Sequence, residues 1–472
     1  MAPRTIARAA LAFWLAGCAA GPDYERPASP EPPAFEYAPA EGTTPQDPSL
    51  VWWREFGDPM LVALVDRAVA GNFGVREATA LVRQARALYD EERYDLSPTL
   101  TADASYTRQL QSNATFLSGV PRSMRTFGYW SAGFDAAWEL DLFGRVRRSV
   151  EAASAEVGAA EASRGDVLLT LLGEVARNYF EWKGARYRLE VARESARVQE
   201  ETLKLTTARL DAGRGTELDV ARARTEFLST QALLPPIEVD IVRAKNRLAV
   251  LLGVPPEGFE LEAGPPSPPD ALPALVAIGT PADLLRRRPD VRRAERRLAS
   301  STASIGVATA DLFPRVTFAG TFGPQAPTVP GLFQAGAAAY TFGPNLTWAA
   351  FDLGRVAARI RAADAKAEAD LDRYQETVLG ALEDVENALA TFGRERSRRE
   401  ALVQAVAASE RAASLADIRY QGGAADFLTT LDAQRTLLGL RMQLAESQTR
   451  TVTSLVALYK ALGGGWEKPP AP

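Results

Sequence analysis

The chain has 472 residues, 24% charged and 46% hydrophobic, with a formal net charge of −5. That composition fits an ordered protein with a real core rather than a disordered one, and it offers no overall basic excess to hold nucleic acid. No histidine and a single cysteine exclude Ser-His-Asp and Cys-His catalysis, histidine-containing zinc sites and an intramolecular disulfide; carboxylate-only chemistry stays open, and no cofactor or metal is called for.

Residues 1–17 predict an export signal. Arg4 and Arg8 give a positive start, and Ala9 to Ala16 a short apolar run, well under the roughly 20 residues that span a bilayer. Ordinary cleavable secretion is one reading. The sharper one is that Leu15-Ala16-Gly17-Cys18 resembles a bacterial lipobox, with Cys18 lipidated and acyl chains anchoring by about 0.8 kcal/mol per buried CH₂. Ala19 and Ala20, rather than Asp, follow Cys18, which favours the outer membrane, by resemblance to sorted lipoproteins. No later stretch is an uncharged apolar run near 18 residues. A membrane crossing must then be made by strands of a closed barrel, because open sheet edges cannot sit in lipid.

Residues 18–50, rich in Pro, Ala and Glu, predict an extended tail. Apolar residues at three- and four-residue steps predict helix from Trp52 to Tyr94, stopped by Ser97-Pro98. Leu100, Ala102, Ala104 and Tyr106 then alternate with polar residues, and Trp130 to Trp138 alternate again after a Gly/Pro loop, which predicts a β-hairpin with aromatic ends. Residues 142–211 could form one helix of roughly 105 Å. Asp211 to Gly215 breaks it, and a second helix runs to Leu252, disturbed at Pro235-Pro236. Gly253 to Pro281 is Pro-rich with little regular pattern. The series then recurs: helix over 282–312, a stop at Phe313-Pro314, two alternating segments, a helix from Leu353 to Tyr420, a break at Gly422-Gly423 and a helix to Leu462.

The recurrence has a fixed offset. Trp138 and Trp348 lie 210 positions apart, as do Gly144-Arg145-Val146 and Gly354-Arg355-Val356, Val175 and Val385, Arg209 and Arg419, Gly213 and Gly423, Ala223 and Ala433, and Leu252-Gly253 and Leu462-Gly463. The predicted organisation is a signal peptide (1–17), a lipidated tail (18–50), repeat 1 (51–252; β-hairpin about 99–140, coil tip near 213), a linker (253–280), repeat 2 (281–462; β-hairpin about 315–350, coil tip near 423) and a C-terminal tail (463–472). The fold class is mainly α with a small β part. Four strands per chain cannot close a barrel around a pore, so strands in lipid would demand oligomerisation.

Several motifs carry a family resemblance over nearly the whole mature chain. Cys18-Ala19-Ala20-Gly21-Pro22-Asp23-Tyr24, Trp52-Trp53 with Asp58-Pro59, Glu139-Leu140-Asp141-Leu142-Phe143-Gly144-Arg145, Arg288-Pro289-Asp290-Val291-Arg292 with Ala294-Glu295, and Arg419-Tyr420 with Leu431-Asp432-Ala433-Gln434 stand in an order and spacing that resembles the TolC/NodT outer-membrane efflux factors, the OprM-like lipoprotein branch in particular. That resemblance implies a homotrimer with a 12-stranded outer-membrane β-barrel continued by a periplasmic α-helical barrel, and a belt from residues 20–60, 253–280 and 463–472. The partners it implies are outer-membrane lipid, a periplasmic adaptor and an inner-membrane pump. It implies a periplasmic constriction at Asp432, with the second ring position on Thr429, which is not acidic. It implies a gating latch between Asp219 and Tyr420, with Ala425 replacing an arginine found there in some relatives. Gly213 and Gly423 would be coil tips and adaptor contacts. Arg286, Arg287 and Arg288 read as a solvated face with salt bridges inside the chain, and Trp130, Trp138, Tyr340 and Trp348 as interfacial aromatics. The implied function is the exit duct of a tripartite efflux system, with no enzymatic role. A duct for type I protein secretion and a structural envelope lipoprotein without a pore are the alternatives.

Overall fold

The computed structural model describes residues 19–28, 32–39, 42–112, 114, 121–262, 264–269 and 272–466; Cys18 and the signal peptide lie outside the described residues. In chain order the elements are β1 (Thr43–Thr44), a 3-10 turn (Trp52–Phe56), α1 (Pro59–Gly71), α2 (Phe73–Tyr94), β2 (Thr99–Leu110), α3 (Arg122–Arg125), β3 (Thr126–Leu140), α4 (Arg145–Asp211), α5 (Glu217–Gln231), α6 (Leu234–Leu251), β4 (Val276–Ala277), α7 (Pro281–Arg287), α8 (Pro289–Ala310), β5 (Arg315–Ala326), a 3-10 turn (Val329–Phe333), β6 (Ala338–Thr347), α9 (Leu353–Gln421) and α10 (Phe427–Ala461). No described helix is long and apolar enough to cross a membrane. The described residues fall into two compact units, within residues 1–28, 80–161 and 293–375 and within residues 29–79, 162–292 and 376–472.

The first unit holds the predicted hairpins. They join into one antiparallel sheet in the order β2-β3-β5-β6. Leu100 pairs with Ala136, Trp138 with Phe318 and Val316 with Leu346. Hydroxyls link the strands on one face, Ser105 to Ser131 at 2.9 Å and Thr321 to Thr341 at 2.8 Å. Backbones come close between β3 and β5, where a Cβ on Gly323 would sit 2.1 Å from the Ala132 carbonyl oxygen, so only glycine fits. Trp138 and Trp348 each donate Nε1–H to a carbonyl two residues past a helix end, Leu96 after α2 and Leu312 after α8, at 3.1 and 3.0 Å. The repeat is thus kept down to a single hydrogen bond.

The strand-to-helix junction explains the Glu139 to Arg145 motif. Glu139 takes two bonds from Arg145 at 2.9 and 2.7 Å, and Asp141 accepts from the Val146 and Arg147 amides at 3.0 and 2.9 Å, capping α4. Gly144 turns the chain with φ of 80°. Residues 19–28, expected as part of an extended tail, carry no helix or strand and dock here. Ala20 donates to the Phe143 carbonyl at 2.9 Å, and the buried Arg148 reaches the Ala20 carbonyl at 3.2 Å and Asp23 at 2.6 Å. A charged side chain inside a helix, with no visible apolar cue, is what the composition of the tail could not reveal.

The second unit contains the main apolar core, built from Trp52, Phe56, Leu61, Leu64, Leu172, Phe180, Leu248, Leu389, Leu455 and Tyr459 among others. Trp52 stacks on Tyr459 at 5.2 Å and donates to the Gly464 carbonyl at 3.2 Å. The helix expected from Trp52 to Tyr94 is broken twice. Asp58 caps α1, accepting from Met60 and Leu61 amides, and Asn72 ends α1 in an extended conformation while its side chain accepts from Val75. The helix expected over 282–312 breaks at Arg288, whose ψ of 126° follows from the clash that Pro289 imposes on a helical predecessor. The linker 253–280, expected without pattern, contributes β4, which pairs in parallel with β1.

The arginine cluster is not a solvated face. Only Arg286 is exposed. Arg287 bonds the Leu462 carbonyl at 3.2 Å and Asp47 at 3.4 Å. Arg288 is buried, bidentate on Asp290 at 3.0 and 2.7 Å, with further bonds to Asp384 at 2.9 Å and the Ala461 carbonyl at 3.1 Å. Burial opposes the charge of Asp290, but the Arg288 hydrogen bonds and charge outweigh it and hold the carboxyl below its usual range. Burial likewise opposes the charge of Asp58, and bonds from the Tyr179 hydroxyl at 2.7 Å and Lys183 at 3.1 Å outweigh it.

Two outcomes are expected. Arg288→Ala should lower the unfolding free energy by about 3 kcal/mol or more, because it leaves buried carboxylate unpaired; thermal unfolding of the purified protein against Arg288→Lys, which keeps the charge, checks this. Both depressed carboxyls contribute stability that is complete above the ordinary carboxylate pKa of about 4 and lost as pH falls below it. Melting temperature should therefore drop on acidification through that region, and drop less steeply in Asp290→Asn.

Candidate gating site at the hairpin tips

Both long helical hairpins reverse by the same backbone device. α4 ends at Gly213, with φ of 68°; the Gly213 amide donates to Leu210 at 2.9 Å and the Arg214 amide to Arg209 at 2.8 Å. α9 ends at Gly423, with φ of 74°; Gly423 donates to Tyr420 at 3.1 Å and Ala424 to Arg419 at 2.8 Å. This paired pattern closes a helix on a left-handed residue, which glycine occupies without a Cβ clash. Gly253 and Gly463 end the return helices with positive φ as well, 40 residues after each tip.

The return helices start on capping boxes with exchanged parts. Thr216 caps α5: its hydroxyl accepts from the Asp219 amide at 3.1 Å and donates to Asp219 Oδ2 at 2.7 Å. Asp426 caps α10: Oδ1 accepts from the Thr429 amide at 3.0 Å and from the Thr429 hydroxyl at 2.5 Å. The Thr429 bonds hold the Asp426 carboxyl below its usual range, and the Arg222 charge adds to this.

These contacts place the expected site residues. Thr429 and Asp432 lie one turn apart on the exposed side of α10; Thr429 is engaged in the cap, while Asp432 makes no ion pair among the described residues. Asp219 and Tyr420 line one cavity of about 250 Å³ with Thr206, Arg209, Arg222 and Asp426. The structure brings the two together without a hydrogen bond between them; Asp219 Oδ2 accepts from the Thr216 hydroxyl. Tyr420 is buried, packs on Phe427 at 5.5 Å and clusters with Ala223, Leu203 and Leu431. The guanidinium of Arg209 lies over its ring at 4.3 Å. Sequence reading missed Thr216, Asp426, Phe427 and Arg209. The first two were available from the Thr-x-x-Asp and Asp-x-x-Thr spacing after each tip glycine; Arg209 over Tyr420 has no local signal, because the two are 211 residues apart. No group of described residues could hold a metal ion.

Each repeat thus carries two strands of the antiparallel sheet and one long helical hairpin closed by a glycine turn. The outer membrane efflux protein family model matches residues 64–254 and 280–464, one segment per repeat. The chain belongs to that family, and it is an outer-membrane efflux channel protein of the Gram-negative envelope. It is 34% identical over 464 residues to the solvent efflux pump outer membrane protein SrpC of Pseudomonas putida, covering 96% of each chain. It is 33% identical over 458 residues to the outer membrane protein OprJ of Pseudomonas aeruginosa, covering 97% of this chain and 95% of that one. The solved outer-membrane channel OprN superposes with a TM-score of 0.90 at 40% identity, over 95% of this chain and 100% of that one.

Gly423→Ala and Asp426→Ala should each weaken the second tip by about 1 kcal/mol, through left-handed strain and a lost cap respectively. Faster amide hydrogen exchange in residues 424–431, with little change in overall melting temperature, is the expected reading.

Proposed function

We propose that three copies of the chain assemble into the exit duct of a tripartite efflux system. The observation that carries this is the sheet. Four antiparallel strands leave β2 and β6 each with an unpaired edge, while aromatic and aliphatic side chains such as Leu100, Tyr340 and Phe342 stand exposed on it. Twelve strands from three copies close such a sheet with every edge paired, as lipid requires. The long helices continue it as a tunnel through the periplasm, held by their exposed apolar residues, among them Leu415, Ile418 and Leu428.

In this reading Cys18 carries the lipid anchor. The neighbouring Ala19 lies against Gly144 at the strand-to-helix junction. The tips at Gly213 and Gly423 meet a periplasmic adaptor, which couples the duct to an inner-membrane pump. Asp432 forms a ring of three carboxylates that favours cations at the narrowest point, with Thr429 one turn above. Asp219 and Tyr420 belong to the latch that keeps the tips together. The cargo is small molecules, in keeping with the solvent efflux named for the relative SrpC.

Single-channel recording of the purified trimer in planar bilayers tests this. Wild type should give small, cation-selective currents, and Asp432→Ala should enlarge them or reduce their selectivity. Discrete currents unchanged by the substitution would remove Asp432 from the constriction; a well-folded protein that is not trimeric would overturn the duct.

A further inference from the structure

The second tip differs from the first at two positions that the repeat makes equivalent. Where the second has Tyr420 and Phe427, the first has Leu210 and Glu217. The aromatic pair is therefore a local addition to the second hairpin, and the first hairpin supplies what covers it. Arg209, two residues before the end of α4, lays its guanidinium over the Tyr420 ring at 4.3 Å. Ala223 of α5 closes the same cluster from the side. Arg222, also from the first hairpin, lines the same cavity as Asp426 and adds its charge to the second hairpin's cap. Arg209 and Arg222 make no ion pair among the described residues, in common with other arginines near the tips such as Arg214, Arg224 and Arg419. Their charge is left to act across the gap between hairpins.

We propose that Arg209 is the residue that holds the second hairpin's tip against the first, by a cation–π contact with Tyr420, and that Arg222 supports it through Asp426. The inference rests on reading the tips as a gate. It assigns the closing force to an arginine of the first hairpin, and it accounts for two facts at once. One oxygen of the Asp219 carboxylate accepts from the Thr216 hydroxyl, and position 425, on the second hairpin, holds alanine. A cation over an aromatic face remains attractive when partly solvated and yields to a competing partner without leaving a buried charge stranded, which suits a contact that must open. Arg209 positions Tyr420; it does not touch cargo.

The test is single-channel recording of full-length trimers carrying Arg209→Ala, Arg209→Lys, Tyr420→Leu, the Arg209→Ala/Tyr420→Leu pair, and Arg419→Ala. The last removes the repeat-equivalent arginine, which is exposed. Arg209→Ala and Tyr420→Leu should each raise the open-to-closed ratio about threefold to thirtyfold per chain, the span of cation–π strengths. The double variant should open no further than either single, and Arg209→Lys should fall between Arg209→Ala and wild type. Arg419→Ala should behave as wild type. Conducting trimers in which Arg209→Ala gates like wild type overturn the proposal, and so does an Arg419→Ala trimer that opens as far. Additive effects of the two substitutions would show that they do not act through one contact and overturn it too. If folded trimers conduct in no variant and not in wild type, the gate reading itself falls and takes the clamp with it, a result distinct from normal currents that ignore Arg209.

Discussion

Much of the second unit converges on the buried guanidinium of Arg288. It bonds Asp290 in the first turn of α8, Asp384 in the middle of α9 and the last helical carbonyl of α10, so three helices of the second repeat are tied to one side chain. An ion buried this way stabilises only if every donor is matched, and here the match also dictates backbone. Residue 288 has to leave the helix to present its side chain, and Pro289 makes that departure obligatory. The neighbouring Gly463 turn, Trp466 on the Arg287 carbonyl and the Trp52–Tyr459 stack then occupy the space that remains.

Periodicity carried most of the architecture. Long proline-free stretches with apolar residues at helical spacing are helices because nothing in them competes, and the 210-residue offset survives at the level of paired glycine turns. What escaped was of another kind. The break at Asn72, the docking of residues 19–28 through Arg148, and the β1–β4 pairing all depend on partners distant in sequence. A lone asparagine, a helix arginine and two threonines carry no pattern until the chain has folded around them.

At the tips the split is the same. Gly213 and Gly423 were legible because positive φ leaves few residue choices, and Asp219 and Tyr420 because a motif pointed to them. Their actual bonds were not. The oxygen on Asp219 goes to a threonine three residues back, and the face of Tyr420 goes to an arginine from the other repeat.

The exchanged capping boxes have an evolutionary consequence. Thr216 with Asp219, and Asp426 with Thr429, perform one task with donor and acceptor reversed. Each half of the gene is self-consistent, but the halves are not interchangeable piecemeal. A recombination between them falling inside the box would pair threonine with threonine, without a charged acceptor, or aspartate with aspartate, with two carboxylates facing one helix start. The duplicated halves are thereby insulated from being homogenised at this spot, and each tip is left free to acquire side chains that the other lacks.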